Sequence, residues 1–235
     1  MPRKLRSIAF GKGCEDFDDN ASFPRAQMAV VDHGAHQLRN MLRDTDRREE
    51  ILRGVGDYHF GSRHDLDQRK ATKALFNALD MDGTYGAWRA RFGVPPGTAP
   101  ELGCKFVLTA GGGGTFDLYR YVQAQYGSAA CFADRLPAMS SFVTAYLTDQ
   151  GAVEKLQHPE RTLKSYVLQE AEAISRCEKL RWAEAAGRLP VNLQHDGLLV
   201  QLWSGDDRVE VARSLERLST AVLGYDQPVA HKAWD

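Results

Sequence analysis

The chain has 235 residues, 43% of them hydrophobic and 26% charged, with a net charge of −1. That length suits one domain, or one domain with a lobe, around a real core, and no apolar run reaches the roughly 18 residues of a membrane span. The near-neutral balance excludes the strongly basic surface that grips DNA non-specifically, so a nucleic-acid partner would have to be met by a local basic groove.

The N-terminal MPRKLRSIAFGKG holds too short an apolar core for a secretory signal. Cys14, Cys104, Cys131 and Cys177 are scattered without a CxxC pair. Reduced thiols in an intracellular compartment are therefore expected, with no zinc ribbon. Residues 1–24 read as irregular, with Glu15 to Asn20 as a solvated acidic loop. QMAVV at 27–31 reads as a short buried strand, broken by Asp32-His33-Gly34. A helix then carries Leu38, Met41 and Leu42 on one stripe. Asp32 is thus expected at a strand end, near a helix N-terminus.

After a loop at 57–65, Leu66–Leu79 has helical spacing, with Leu75, Phe76 and Leu79 as its buried side. Arg69, Lys73 and Asn77 recur every fourth residue and share the other face, which is either a phosphate-binding edge or an ordinary solvated face. Trp88–Phe92 is a short continuation, and the prolines at 95, 96 and 100 mark a loop. The glycine run 111–114 lacks the Lys-Ser/Thr of a phosphate loop and reads as a flexible hinge before a helix at 116–126. Pro159 opens the longest helix, about 161–186, with an apolar stripe of Leu163, Val167, Ala171 and Ile174. Then comes VNLQHDGLLVQLW, two strand-forming runs flanking His195-Asp196-Gly197. Asp-Gly favours a tight turn, so a hairpin with Asp196 at its tip is expected. A last amphipathic helix spans Val209–Leu223, followed by an extended tail.

Two strand-end aspartates, Asp32 and Asp196, could share two Mg²⁺ ions through hard oxygen ligands. Such a pair can stabilise the attacking and leaving oxygens of an in-line displacement. Taken in order, these segments resemble the palm and fingers of family A DNA polymerases, the bacterial polymerase I and phage type. Asp32 with Leu38-Arg39 is similar to that family's first motif, with Gln37 where the family usually has Glu. Arg69, Lys73, Phe76 and Tyr85-Gly86 resemble its fingers helix. His195-Asp196 resemble its His-Asp-Glu hairpin, with Gly197 in place of the Glu. Gln169 falls where the family has a helix glutamine directed at the template–primer minor groove. The resemblance covers roughly residues 25–235, and single-subunit phage-type RNA polymerases share the architecture.

The resemblance implies an α+β fold, a palm-like antiparallel sheet packed against helices with a helical fingers-like insertion and no recognisable thumb or exonuclease domain. It implies an irregular segment over 1–24, a first palm part over 25–56, a fingers-like region over 57–157 and a second palm part over 158–235. It further implies template-directed addition of nucleotides to a primer 3′ end. Asp32 and Asp196 would be catalytic and hold two Mg²⁺. Arg69, Lys73, Phe76, Tyr85 and Gln37 would bind the nucleotide, and Arg39, Gln169 and His195 the primer–template. The partners implied are a DNA primer–template and deoxynucleoside triphosphates, with room for an accessory protein that supplies a thumb, and no membrane. A non-catalytic or decayed polymerase-like nucleic-acid-binding module is the alternative. A hydrolase or metal site built on Asp32, His33 and His36 ranks below both, because no third histidine is placed by spacing.

Overall fold

The structure is a computed structural model that describes residues 13–30, 35–61, 66–95, 105–128, 145, 148–149, 158–193 and 197–232. In chain order it forms β1 (Cys14–Asp19), α1 (Ser22–Val30), α2 (Ala35–Leu42), α3 (Thr45–Phe60), α4 (Gln68–Asp80) and α5 (Tyr85–Phe92). There follow β2 (Lys105–Leu108), β3 (Gly114–Asp117), α6 (Leu118–Ser128), α7 (Pro159–Ala185), β4 (Pro190–Leu193), β5 (Gly197–Gln201), α8 (Arg208–Leu223) and β6 (Val229–Lys232). The fold is mixed helix and small antiparallel sheets. No helix among the described residues is long and apolar enough to cross a membrane. The chain divides into two compact units, one of Met1–Ala26 with Leu168–Asp235 and the other of Gln27–Val167.

The first unit is built on a four-stranded sheet in the order β4-β5-β1-β6. Its neighbouring strands are all antiparallel. The expected hairpin flanks are present as β4 and β5; the tip, 194–196, lies outside the described residues. Alternation along each strand sends Phe17, Leu198, Val200 and Val229 to one face, where they pack with Ala183 of α7 and with Val211 and Leu215 of α8. Each fully buried side chain of this size contributes about 1.5–3 kcal/mol. Asp207 caps α8 by accepting from the Val209 amide at 2.8 Å, and Gly224 ends it in the left-handed conformation.

The strand at β1 corrects the solvated loop expected for Glu15 to Asn20. CEDFDD has a single large apolar residue, so hydropathy gives no strand signal. Ion pairs replace it. Lys179 donates to Asp19 at 2.5 Å with both side chains at most 1% exposed. Glu15 meets Arg208 and His231. Burial raises the Glu15 carboxyl, but the bonds from His231 and Arg208 outweigh it and hold the group below the usual range.

Helix α7 also differs in detail from expectation. It forms over nearly the predicted span, yet Ile174 is exposed. Over its part in the first unit the buried stripe is Leu168, Glu172, Ser175, Lys179 and Ala183, a helical spacing with three polar residues. Of these, Ser175 and Lys179 donate to Asp19 of the acidic strand.

The second unit is helical with a two-stranded hairpin, β2-β3. Asp44, Asp67 and Thr84 cap α3, α4 and α5 through the amides of Arg47, Lys70 and Ala87. Ile51, Leu52 and Val55 of α3 and Ala71, Leu75 and Leu79 of α4 are buried core. The glycine run is the turn of the hairpin, not a hinge. Gly111 has φ 61°, and a Cβ there would fall 2.1 Å from Asp44 Oδ2, so only glycine fits. Glu50 accepts from the Thr109 amide and hydroxyl and from the Ala110 amide at the start of the turn.

Candidate functional site

The strand expected at 27–31 is not one: residues up to Val30 belong to helix α1. A short apolar run does not distinguish helix from strand by periodicity. Here Pro24 in the first turn, where its missing amide hydrogen costs little, and the helix formers Ala26, Gln27 and Met28 carry the helix forward. Asp32 is therefore not preceded by the strand that was to carry it. Asp32 and His33, like His195 and Asp196, lie outside the described residues.

The strand paired with the Asp196 hairpin is β1. Its register sets Asp18 opposite Gly197, the residue after Asp196, and Asp16 opposite Leu199. Asp16 and Asp18 alternate with Phe17, so their side chains take the face away from the α7–α8 core. A Cβ on Gly197 would fall 2.8 Å from Asp18 Oδ1 and 3.0 Å from the Phe17 carbonyl oxygen. The absence of a side chain at 197 is what lets the Asp18 carboxylate lie over the hairpin backbone.

From the other side, Lys232 of β6 forms an ion pair with Asp18 Oδ2. In the strand register Lys232 sits opposite Asp16, so it reaches Asp18 diagonally. Asp16 and Asp18 are both buried, whereas the Lys232 side chain is 45% exposed.

Sequence reasoning missed Asp18, although a signal existed. Arg25 stands seven residues beyond Asp18, the interval that separates Asp32 from Arg39. The apolar stretch before Asp32 made that copy look strand-borne; the structure gives the strand to Asp18. Arg25 lies on α1, donates to the Asn20 carbonyl and pairs with Asp226 at 3.3 Å.

In the second unit, Arg69 and Lys73 are exposed on one face of α4, as expected. Arg69 donates two bonds of 2.6 Å to the Glu49 carboxylate. That contact holds Glu49 below the usual carboxylate range. Phe76 is buried edge-on against Tyr121 and Phe116. Tyr85 is also buried, with its hydroxyl 2.7 Å from His59 Nε2 and its ring stacked on Trp88. Gln37 is buried and accepts from the Asp117 amide at 3.3 Å. Arg39 is exposed on α2; in the first unit, Gln169 is exposed on α7.

Oxygen donors such as Asp18 suit Mg²⁺, and the Asp18 carboxylate lies over the backbone of Gly197. Among the described residues, no group of three His, Cys, Asp or Glu is placed to hold a metal ion.

The second unit also contains a buried polar cluster. Asp80 is fully buried, and Tyr121 donates to its Oδ1 at 3.2 Å. Burial pushes the Asp80 carboxyl up to about 7, against the opposing field of Lys164. Burial likewise holds Lys164 below the ordinary lysine range. Lys164 donates to Gln125 Oε1 at 3.1 Å, and Gln27 donates to the same oxygen at 2.8 Å.

No family model matches the chain, and no curated protein matches it. Among solved structures it is similar to the POL domain of Pol1 from M. smegmatis, in complex with DNA primer-template and dNTP. The identity is 14% and the TM-score 0.46, over 97% of this chain and 41% of that one. The chain thus spans less than half of that structure's chain, and a likeness of this degree carries no argument about activity.

Proposed function

We propose that the chain is a nucleotidyltransferase of the polymerase kind, adding nucleotides to a primer 3′ end on a template, with Asp18 and Asp196 as its paired carboxylates. The observation that carries the proposal is the register of β1 on β5, which sets Asp18 against the residue following Asp196. Two Mg²⁺ held by these aspartates would supply charge stabilisation for the attacking and leaving oxygens. The chain's own contribution is to fix the carboxylates. Asp18 is carried on an inner strand hydrogen-bonded on both sides, and Gly197 leaves space for it. Asp32, the sequence candidate for this role, becomes the comparison residue.

Arg69 and Lys73 are proposed to neutralise the triphosphate, which requires Arg69 to exchange Glu49 for phosphate oxygens. Gln37, Phe76 and Tyr85 are proposed as the nucleotide pocket; the two rings could stack on a base only after the packing around α4 and α5 opens. Arg39, Gln169 and His195 are proposed to line a DNA primer–template. An accessory protein supplying a thumb fits this reading.

One observation favours a second reading. Asp18 and Arg69 both already hold a partner of opposite charge. A polymerase-like module that binds nucleic acid without chemistry would keep such pairs. Primer extension with Mg²⁺ and four deoxynucleotides, beside Asp196→Asn, separates the two. Template-dependent extension lost in the variant supports the transferase. Salt-sensitive DNA binding without extension supports the module.

A further inference from the structure

We infer that the glycine turn at 112–114 is a binding site for a phosphate oxyanion, which contacts Arg43 and is drawn there by the buried charge of Arg47. The site lies wholly in the second unit and does not depend on the reading of Asp18. It is not a phosphate loop of the usual kind. The run lacks the Lys-Ser/Thr pair, and the Thr109 and Ala110 amides are already bonded to Glu50. What the turn offers is bare backbone over two guanidinium groups. A Cβ on Gly112 would fall 3.6 Å from Arg43 Nη2, and one on Gly114 would fall 2.9 Å from Arg47 Nη2. Both glycines are exposed, and so is Arg43. Asn40 of α2 donates to the Thr115 carbonyl at 3.3 Å, which holds the helix leading to Arg43 against the hairpin.

Arg47 is the second, independent observation. It is 1% exposed, and its Nη2 donates to the Gly113 carbonyl. Its Nε is buried without a hydrogen-bond partner. Among the described residues, no carboxylate forms an ion pair with Arg43 or Arg47. The acids near the turn are committed elsewhere. Asp44 gives Oδ1 to the Arg47 amide as the cap of α3 and sets Oδ2 against Gly111. Glu50 holds Thr109 and Ala110. Acids therefore line the entry of the turn, at 109–111, and cations line its exit, at 112–114. A buried guanidinium without a counter-charge is costly to the fold, and water screens its field far less than that of an exposed charge. An anion settling over the exit offsets that cost. A tetrahedral phosphate fits better than a planar carboxylate, because it can turn oxygens toward two guanidinium groups at once, whereas a carboxylate spends both oxygens on one fork.

The test titrates the full chain with inorganic phosphate at fixed ionic strength, followed by calorimetry and by thermal shift. Saturable binding that raises the melting temperature is expected. Arg43→Gln should weaken it about threefold or more. Arg47→Met should weaken it about tenfold or more, while Arg47→Lys, which keeps the charge under the turn, should stay near wild type. Arg120→Gln removes a cation of the same unit that pairs with Asp117 at 3.8 Å, and it should change nothing. Should Arg47→Met fail to fold, Arg43→Gln against Arg120→Gln decides alone. A short oligothymidylate separates the sources of the phosphate. Competition with inorganic phosphate that is lost in Arg43→Gln assigns the site to a nucleic-acid backbone; phosphate binding without competition assigns it to a free or small-molecule phosphate. No saturable phosphate binding, or equal affinity in wild type and Arg43→Gln, would overturn the inference.

Discussion

Lys179→Met tests how the strand bearing Asp18 is held. Lys179 and Asp19 are at most 1% exposed, and their 2.5 Å contact is joined by Ser175, which donates to the other Asp19 oxygen at 2.8 Å. Methionine retains the volume but strands a buried carboxylate, for which the cost is about 3–5 kcal/mol. A stability near 10 kcal/mol would thus fall by a third or more, and the melting temperature by roughly 10 °C. Chemical denaturation followed by far-ultraviolet circular dichroism measures this directly. Adding Asp19→Asn in the same chain should restore at least half of the loss, because it removes the buried charge that Lys179 balanced. A loss below about 1 kcal/mol for Lys179→Met would show that the pair does not fix β1, and the reasoning about that strand would fail.

Gly197→Ala should place its Cβ against Asp18 Oδ1 and the Phe17 carbonyl. It should cost about 1–3 kcal/mol and weaken Mn²⁺ binding at the Asp18 site; wild-type affinity in a folded variant would rule out the close approach. Asp80 should make stability fall as pH rises. Its carboxyl is lifted from 3.8 to about 7 in the folded chain, so between those values the folded state keeps a proton that the unfolded state has lost. The contribution is present below the lower value, is gone above the upper, and amounts to on the order of 4 kcal/mol. Asp80→Asn should flatten the denaturation-versus-pH curve between about pH 4 and 7, and an unchanged slope would remove Asp80 as its source.

Much of the architecture was readable because it follows apolar periodicity. The helices over α4, α7 and α8 and the flanks of the Asp196 hairpin all carry regular apolar spacing or a strong turn pair. Where polar chemistry holds the fold, periodicity misleads. Strand β1 is stabilised by Lys179, Arg208 and Lys232, from elements 160 or more residues away in sequence, as in the Asp19–Lys179 bond. No local pattern announces such partners. The stripe of α7 was misread for the same reason, since Lys179 and Ser175 are buried and Ile174 is not.

The candidate site was half legible. Asp-Gly at 196–197 marked the hairpin, whereas Asp18, opposite Gly197 on the neighbouring strand, sits in an acidic stretch with no strand signal of its own. The exposed pair Arg69 and Lys73 followed from spacing alone. The burial of Phe76 and Tyr85 depends on tertiary neighbours such as Tyr121 and His59, which spacing within one helix does not reveal.

The most direct measurement compares Asp18→Asn with Asp32→Asn in Mg²⁺-dependent primer extension, with circular dichroism confirming that both variants are folded. The account predicts that Asp18→Asn abolishes extension as completely as Asp196→Asn, while Asp32→Asn retains it. Full activity in Asp18→Asn, with activity lost in Asp32→Asn, would contradict it.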